Sequence, residues 1–148
     1  MNKSECSMQC FLSGFNCAQA VFSTYSSEFG LEPELALRIS SSFGGGMGYI
    51  GETCGAVTGA FMVIGLKYGK DKADDNAAKD KNYLLVQEFT RRFIAKHGSV
   101  RCNELLGVDI SVPEEMKKAR DNQIFTTICP MLVKDSSEIV EELLELNR

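Results

Sequence analysis

The chain has 148 residues and 44% apolar content, enough for one core of ordinary size, and is expected to form a single domain over 1–148. Its 16 basic and 20 acidic residues are interspersed and sum to a net charge of −4, which leaves no basic stripe for a phosphate backbone and argues against nucleic acid as a partner. Met1 to Cys6 lack an apolar leader and the longest uncharged run, Thr53 to Leu66, is too short to cross a bilayer, so a soluble, cytoplasmic chain without membrane insertion is expected.

Apolar residues recur mostly at intervals of three and four, with no strand-like alternation bounded by hairpin turns, so the fold class is all-α: a bundle of about five to seven helices around a buried central one. A short helix near 3–12 stops at Gly14. A second runs from Cys17 to about Glu28, with Asn16 as N-cap and Gly30 beyond its end. Pro33 suits the first turn of a third, on which Leu35, Ile39 and Phe43 share a face before the glycines at 44–46. The fourth, roughly Glu52 to Lys67, has no polar face and is the expected central helix.

A charged loop after Lys70 leads into a long amphipathic helix with Tyr83, Val86, Phe89, Phe93 and His97 on one side, ended by Gly98. Ser99 can cap a short turn containing Cys102, Leu105 and Leu106. Pro113 then opens a helix reaching about Ile124. The last helix is expected from about Ser136 to Leu146, with Asp135 and Glu138 as a capping box and Ile139, Leu143 and Leu146 inward. Cys129 falls in the approach to it, where the following Pro130 favours extended backbone.

The cysteines are the leading functional question. In a reducing compartment six of them, at 6, 10, 17, 54, 102 and 129, are more consistent with metal binding or redox chemistry than with permanent disulfides. None forms a Cys-x-x-Cys pair or a Cys-x-x-Cys-His haem motif, so a site has to be assembled by the fold. Cys17, Cys54 and Cys102 each fall at a helix start, where unpaired amides and the macrodipole favour a thiolate. The competing reading is that they are buried small hydrophobes, and for Cys6 and Cys10, spaced by four on one helix, core filling is preferred. Gly51, Gly55 and Gly59, at a helical spacing that costs about 1 kcal/mol each, imply that something lies close to that backbone.

Around these residues, His97 is a candidate base toward a thiol, Arg101 a candidate for lowering the Cys102 pKa, and Glu52 a candidate proton relay. Each also has a plain surface or helix-end explanation. The glycine loop lacks the Gly-Lys-Ser/Thr ending of a P-loop and follows a helix, which argues against a nucleotide site.

Phe15-Asn16-Cys17-Ala18-Gln19-Ala20-Val21, Phe43 to Gly48, Gly51-Glu52-Thr53-Cys54-Gly55-Ala56-Val57-Thr58-Gly59, Cys102 to Gly107 and Cys129 together resemble the small prokaryotic family named for its C_GCAxxG_C_C cysteine pattern. The resemblance covers nearly the whole chain and implies redox activity carried by Cys17, Cys54, Cys102 and Cys129. Cys6 and Cys10 inherit no role. A related cysteine-bearing domain attached to multihaem cytochromes extends the analogy to an iron–sulfur centre.

Three readings follow. The four cysteines could ligate an iron–sulfur or other metal centre for electron transfer with a redox partner, with Gly51, Gly55 and Gly59 allowing the cofactor to approach the main chain. Two of them could instead cycle between thiols and a disulfide, with Cys54 attacking, as in a thiol/disulfide oxidoreductase. Or the glycine stripe could pack against a second subunit in a non-enzymatic homo-oligomer.

Overall fold

Capping side chains fix where the first helices begin. In the computed structural model, which describes residues 1–145, Asn2 Oδ1 accepts from the Glu5 amide and Asn16 Oδ1 from the Gln19 amide, each at 2.9 Å. The Glu5 and Gln19 side chains return the bond to the asparagine amides, completing a capping box at both starts. They open α1 (Lys3–Leu12) and α2 (Cys17–Ser26). Helix α2 tightens into a 3-10 turn, Ser27–Phe29, ended by left-handed Gly30. Pro33 opens α3 (Pro33–Ser40), and a second 3-10 turn, Ser41–Phe43, leads to the single glycine turn α4 (Gly44–Met47). The remaining helices are α5 (Gly55–Tyr68), α6 (Asn76–His97), α7 (Cys102–Leu106), α8 (Pro113–Asp121), α9 (Ile124–Thr127) and α10 (Cys129–Leu144).

The described residues contain no strand, only an isolated antiparallel bridge between Thr53 and Arg101, so the all-α expectation holds. The helical segments number ten rather than five to seven, because α4, α7 and α9 are single turns of four or five residues. No helix among the described residues is long and apolar enough to cross a membrane.

The core lies where α2, α5 and α10 meet. Helix α5 presents Ala56, Val57, Ala60, Val63 and Ile64 inward, but its Phe61 and Met62 are only half-buried and Leu66 is exposed. It therefore shares the centre with Val21, Phe22 and Tyr25 of α2 and with Leu132, Val133, Val140 and Leu144 of α10. A Cβ on Gly59 would stand 2.9 Å from the Ala18 carbonyl oxygen and 3.2 Å from Ala18 Cα, and one on Gly55 would stand 2.9 Å from the Ala18 nitrogen. The glycine stripe thus seats α2 of the same chain almost backbone to backbone. Polar pairs close the other contacts: Ser136 Oγ donates to the Ala56 carbonyl at 2.6 Å, and the Ser7 and Ser137 hydroxyls meet at 2.6 Å. Tyr25 Oη donates to Glu141 at 2.5 Å, and burial together with that carboxylate pushes the phenol above its ordinary range.

Four local expectations are corrected. On α3 the inward residues are Ala36 and Ser40, whereas Leu35 and Ile39 are exposed, because small side chains let α3 lie close against α2. Helix α8 ends at Asp121 and left-handed Gln123 turns the chain before Ile124. The last helix begins seven positions earlier than expected, at Cys129, because Pro130 occupies its first turn, where a missing N–H costs nothing. Asp135 is consequently in mid-helix and caps nothing: it takes His97 Nε2 at 2.9 Å and Lys96 Nζ at 3.5 Å. Leu146 lies outside the described residues.

Two glycines on α5 should respond oppositely to alanine. Gly59→Ala should destabilise by about 1–3 kcal/mol through overpacking against Ala18. Gly65→Ala, with no atom within 4 Å of the new methyl, should stabilise by about 0.5–1 kcal/mol. Denaturant midpoints of both variants check this.

Candidate functional site

The approach to Cys54 is built from left-handed backbone. Gly45, Gly46, Gly48 and Gly51 have φ of 69°, 63°, 62° and 81°, and the non-glycine residues Met47 and Tyr49 adopt 69° and 65°, a conformation that costs each about 1–2 kcal/mol. Backbone bonds from the Glu52 amide to the Gly46 carbonyl at 3.0 Å and from the Gly51 amide to Gly45 at 3.3 Å fold the loop back on itself. A Cβ on Gly46 would lie 2.6 Å from the Glu52 nitrogen and 2.7 Å from Cys102 Cβ, so glycine at this position is what lets Cys102 pack onto the loop.

Residues 51–54 then run beside 100–103. The Cys54 amide donates to the Val100 carbonyl at 2.8 Å, the Cys102 amide to Glu52 at 2.5 Å and the Asn103 amide to Gly51 at 3.2 Å. Asn103 locks this pairing from behind: its Nδ2 donates to Asp109 at 3.0 Å, its Oδ1 accepts from the Ile110 amide at 3.0 Å, and its side chain fills the space over Gly51. Two cysteines far apart in sequence are thereby fixed by main-chain bonds rather than by side-chain packing alone.

Cys17 and Cys102 are the first residues of α2 and α7, and Cys54 is the N-cap of α5, as expected. Cys129, expected in extended backbone, instead starts α10. All four are at most 8% exposed, and all four border one cavity of about 230 Å³. Its other walls include Phe11, Phe15, Tyr49, Leu106, Met116 and Phe125. Cys6 is exposed, and Cys10, half-buried beside the Ser23 hydroxyl, takes no part in the cavity wall.

The environment distinguishes these thiols. Cys54 is held below the ordinary thiol pKa by the hydrogen bond from the Cys17 thiol, and the Ala56 and Val57 amides at the start of α5 add to the effect. Cys17 is pushed well above it by its interactions with the Cys129 and Cys54 sulfurs, and then by burial. Cys102 is raised to about 12, chiefly by burial and further by negative charge at Cys54 and Cys129. The expectation that every helix-start thiol is stabilised as a thiolate therefore fails at Cys17 and Cys102: neighbouring sulfurs and desolvation outweigh the helix terminus.

The flanking candidates lie elsewhere. Arg101 ion-pairs with Glu52 at 3.4 Å and Glu104 at 3.8 Å, on the surface, and does not lower Cys102. Glu52 is engaged in that pair, and His97 is held by Asp135 and the Phe93 ring, whose centroid is 4.8 Å away. Gly55 borders the cavity, while the space over Gly59 is occupied by α2.

Chemically, the arrangement favours a thiolate at Cys54 and disfavours one at Cys17 and Cys102. Among the described residues no group of three or more His, Cys, Asp or Glu side chains is placed to hold a metal ion. The donor chemistry of four sulfurs around one cavity suits a metal centre. Sequence reasoning missed the Asn103 clamp and the distal cavity wall, including Tyr49, Met116 and Arg120 of α8. A polar residue directly after a helix-start cysteine was the available signal for Asn103; Arg120 had none.

Asn103→Ala removes two partly buried hydrogen bonds and should cost about 1–3 kcal/mol. It should also free Cys102, so that iodoacetamide at pH near 8 labels Cys102 in the variant and leaves it unlabelled in the parent, read by peptide mass mapping.

A family model described as "Putative redox-active protein (C_GCAxxG_C_C)" matches residues 15–143. No curated protein and no solved structure matches the chain. The match spans the glycine loop and each of the four cysteines that border the cavity, and the chain belongs to the C_GCAxxG_C_C family.

Proposed function

We propose that the protein is a thiol–disulfide redox protein in which Cys54 is the attacking sulfur and Cys17 the resolving one. The observation that carries this reading is the close approach of Cys17 to Cys54: both are buried on one cavity wall, and α2 lies so near α5 that a methyl on Gly55 would stand 3.1 Å from Cys17 Cβ. Within that pair the environment favours the thiolate at Cys54 and disfavours it at Cys17. Nucleophilic sulfur must be deprotonated, and once Cys54 is tied up in the mixed disulfide its charge no longer opposes loss of the Cys17 proton, so Cys17 can attack in turn.

In the reducing direction Cys54 attacks a substrate disulfide, forms an S–S bond to one of its sulfurs and releases the other as a thiolate. Cys17 then gives up its proton to that thiolate and attacks Cys54, so the second substrate thiolate leaves and the protein holds the Cys17–Cys54 disulfide. The substrate has gained two electrons. A dithiol reductant from a redox partner returns the protein to its starting state. Cys129, which interacts with Cys17, and Cys102, which keeps its proton, form a reserve of thiols beside the pair. A reducing, cytoplasmic setting would keep the site in its thiol form.

A second reading assigns Cys17, Cys54, Cys102 and Cys129 as ligands of an iron–sulfur centre for electron transfer. The four sulfurs on one cavity favour it, and no group of three or more ligands placed to hold a metal ion is found among the described residues. Mild oxidation with diamide followed by non-reducing peptide mapping separates the two. The dithiol reading expects a Cys17–Cys54 disulfide, its loss in Cys54→Ser, and a trapped Cys54 mixed disulfide in Cys17→Ser. Protein purified without air that carries iron and acid-labile sulfide, or oxidation that yields no intramolecular disulfide, would contradict it.

A further inference from the structure

The cavity that the cysteines border has a second chemical pole. Arg120 is the one charged side chain in its wall. The cation is exposed, lies 5.9 Å from the Tyr49 ring centroid, and forms no ion pair with a carboxylate among the described residues. It is not among the causes of any cysteine shift, so its charge is not spent on the sulfurs. Asn16, the other strongly polar wall residue, is already engaged: its Nδ2 donates to the Ser41 carbonyl at 2.9 Å and its Oδ1 takes the Gln19 amide at 2.9 Å.

Between the two poles the wall is apolar, formed by Phe11, Phe15, Leu106, Met116 and Phe125. A dry cavity of about 150 Å³ accepts benzene. The 230 Å³ here therefore suits a ring bearing small substituents. Tyr49, at φ 65°, sets its exposed ring beside Arg120, while Cys54, on the wall of the same cavity, is only 4% exposed.

We propose that this cavity binds one half of a small aromatic disulfide whose carboxylate pairs with Arg120 while its sulfur reaches Cys54. The inference rests on the thiol–disulfide reading and adds the substrate class. The S–S bond of the bound compound breaks as the Cys54–S bond forms, the departing half leaves as a free thiolate, and Cys17 completes the two-electron reduction by displacing the retained half from Cys54. Arg120 is a binding residue in this scheme: it neutralises the carboxylate and sets which end of the ligand enters first.

The test compares two reagents on the intact protein by rapid mixing, read as release of the coloured thiol, with attack by Cys54 verified by mapping the trapped mixed disulfide in Cys17→Ser: anionic dithiobis(nitrobenzoate) and neutral dithiodipyridine. Arg120→Gln should slow the anionic reagent about fivefold, the worth of one partly exposed charge pair, and leave the neutral reagent unchanged. Arg120→Lys should restore most of the anionic rate. Benzoate, which has no sulfur, should protect Cys54 from dithiodipyridine in the parent and not in Arg120→Gln. Equal rates for parent and Arg120→Gln with both reagents, or equal slowing of both, would overturn the carboxylate assignment while leaving the dithiol reading intact. Failure of both reagents to release thiol from the folded parent, or to label Cys54 in Cys17→Ser, would overturn both.

Discussion

The close approach of α2 to α5 is the constraint on which the rest depends. With glycine at 55 and 59, the main chain of α5 lies against Ala18, and a methyl on Gly55 would stand 3.1 Å from Cys17 Cβ. The contact that closes the core is therefore the contact that sets Cys17 beside Cys54. The same short distance brings the Cys17 thiol into hydrogen bonding with the sulfur at the start of α5. Packing and chemistry share one cause, and a larger residue at either glycine would disturb both.

Once the sulfurs are gathered, electrostatics decides which of them can be charged. Several thiolates cannot coexist in a buried cluster, because each one raises the cost of the next and burial raises the cost of all. The helix-start amides of Ala56 and Val57 and the Cys17 donor settle the competition in favour of Cys54. Cys102 goes the opposite way, chiefly because burial penalises its charged form and further because the neighbouring sulfurs oppose a second charge. The result is a graded set of thiols, which suits a reaction that needs an attacking sulfur and a waiting one. The strained turn from Gly45 to Gly51 and the Asn103 clamp hold this set against the largely apolar cavity.

Much of this was legible in the residues. Asn16 and Pro33 marked helix starts because their local physics, a side-chain acceptor and a fixed φ, acts before any tertiary contact. The position of Cys17 followed from the Asn16 cap, whereas Cys54 was placed by the glycine run before it and Cys102 by Ser99, although neither of those helices carries a side-chain cap. Cys129 did not, because a proline after it can mean either an extended approach or a first helical turn, and only the packing of α10 against α5 selects the second. Leu35 and Ile39 misled because apolar periodicity cannot say that a partner helix needs small residues at the contact. Arg120 was invisible in sequence: its role in the cavity wall depends on how the loop before α10 folds α8 toward the cysteines, which no local pattern encodes.

The central claim is that Cys54 is held below the ordinary thiol range while Cys17 and Cys102 are pushed above it. The most direct measurement is the ultraviolet thiolate absorbance of the reduced protein followed against pH, with Cys54→Ser subtracted. A lowered pKa means that the thiolate is present above that pKa and is lost as pH falls through it, so the difference signal should titrate below the ordinary thiol value of about 8.5. Cys102 should contribute only near pH 12. A difference signal that titrates at or above the ordinary thiol value would contradict the account.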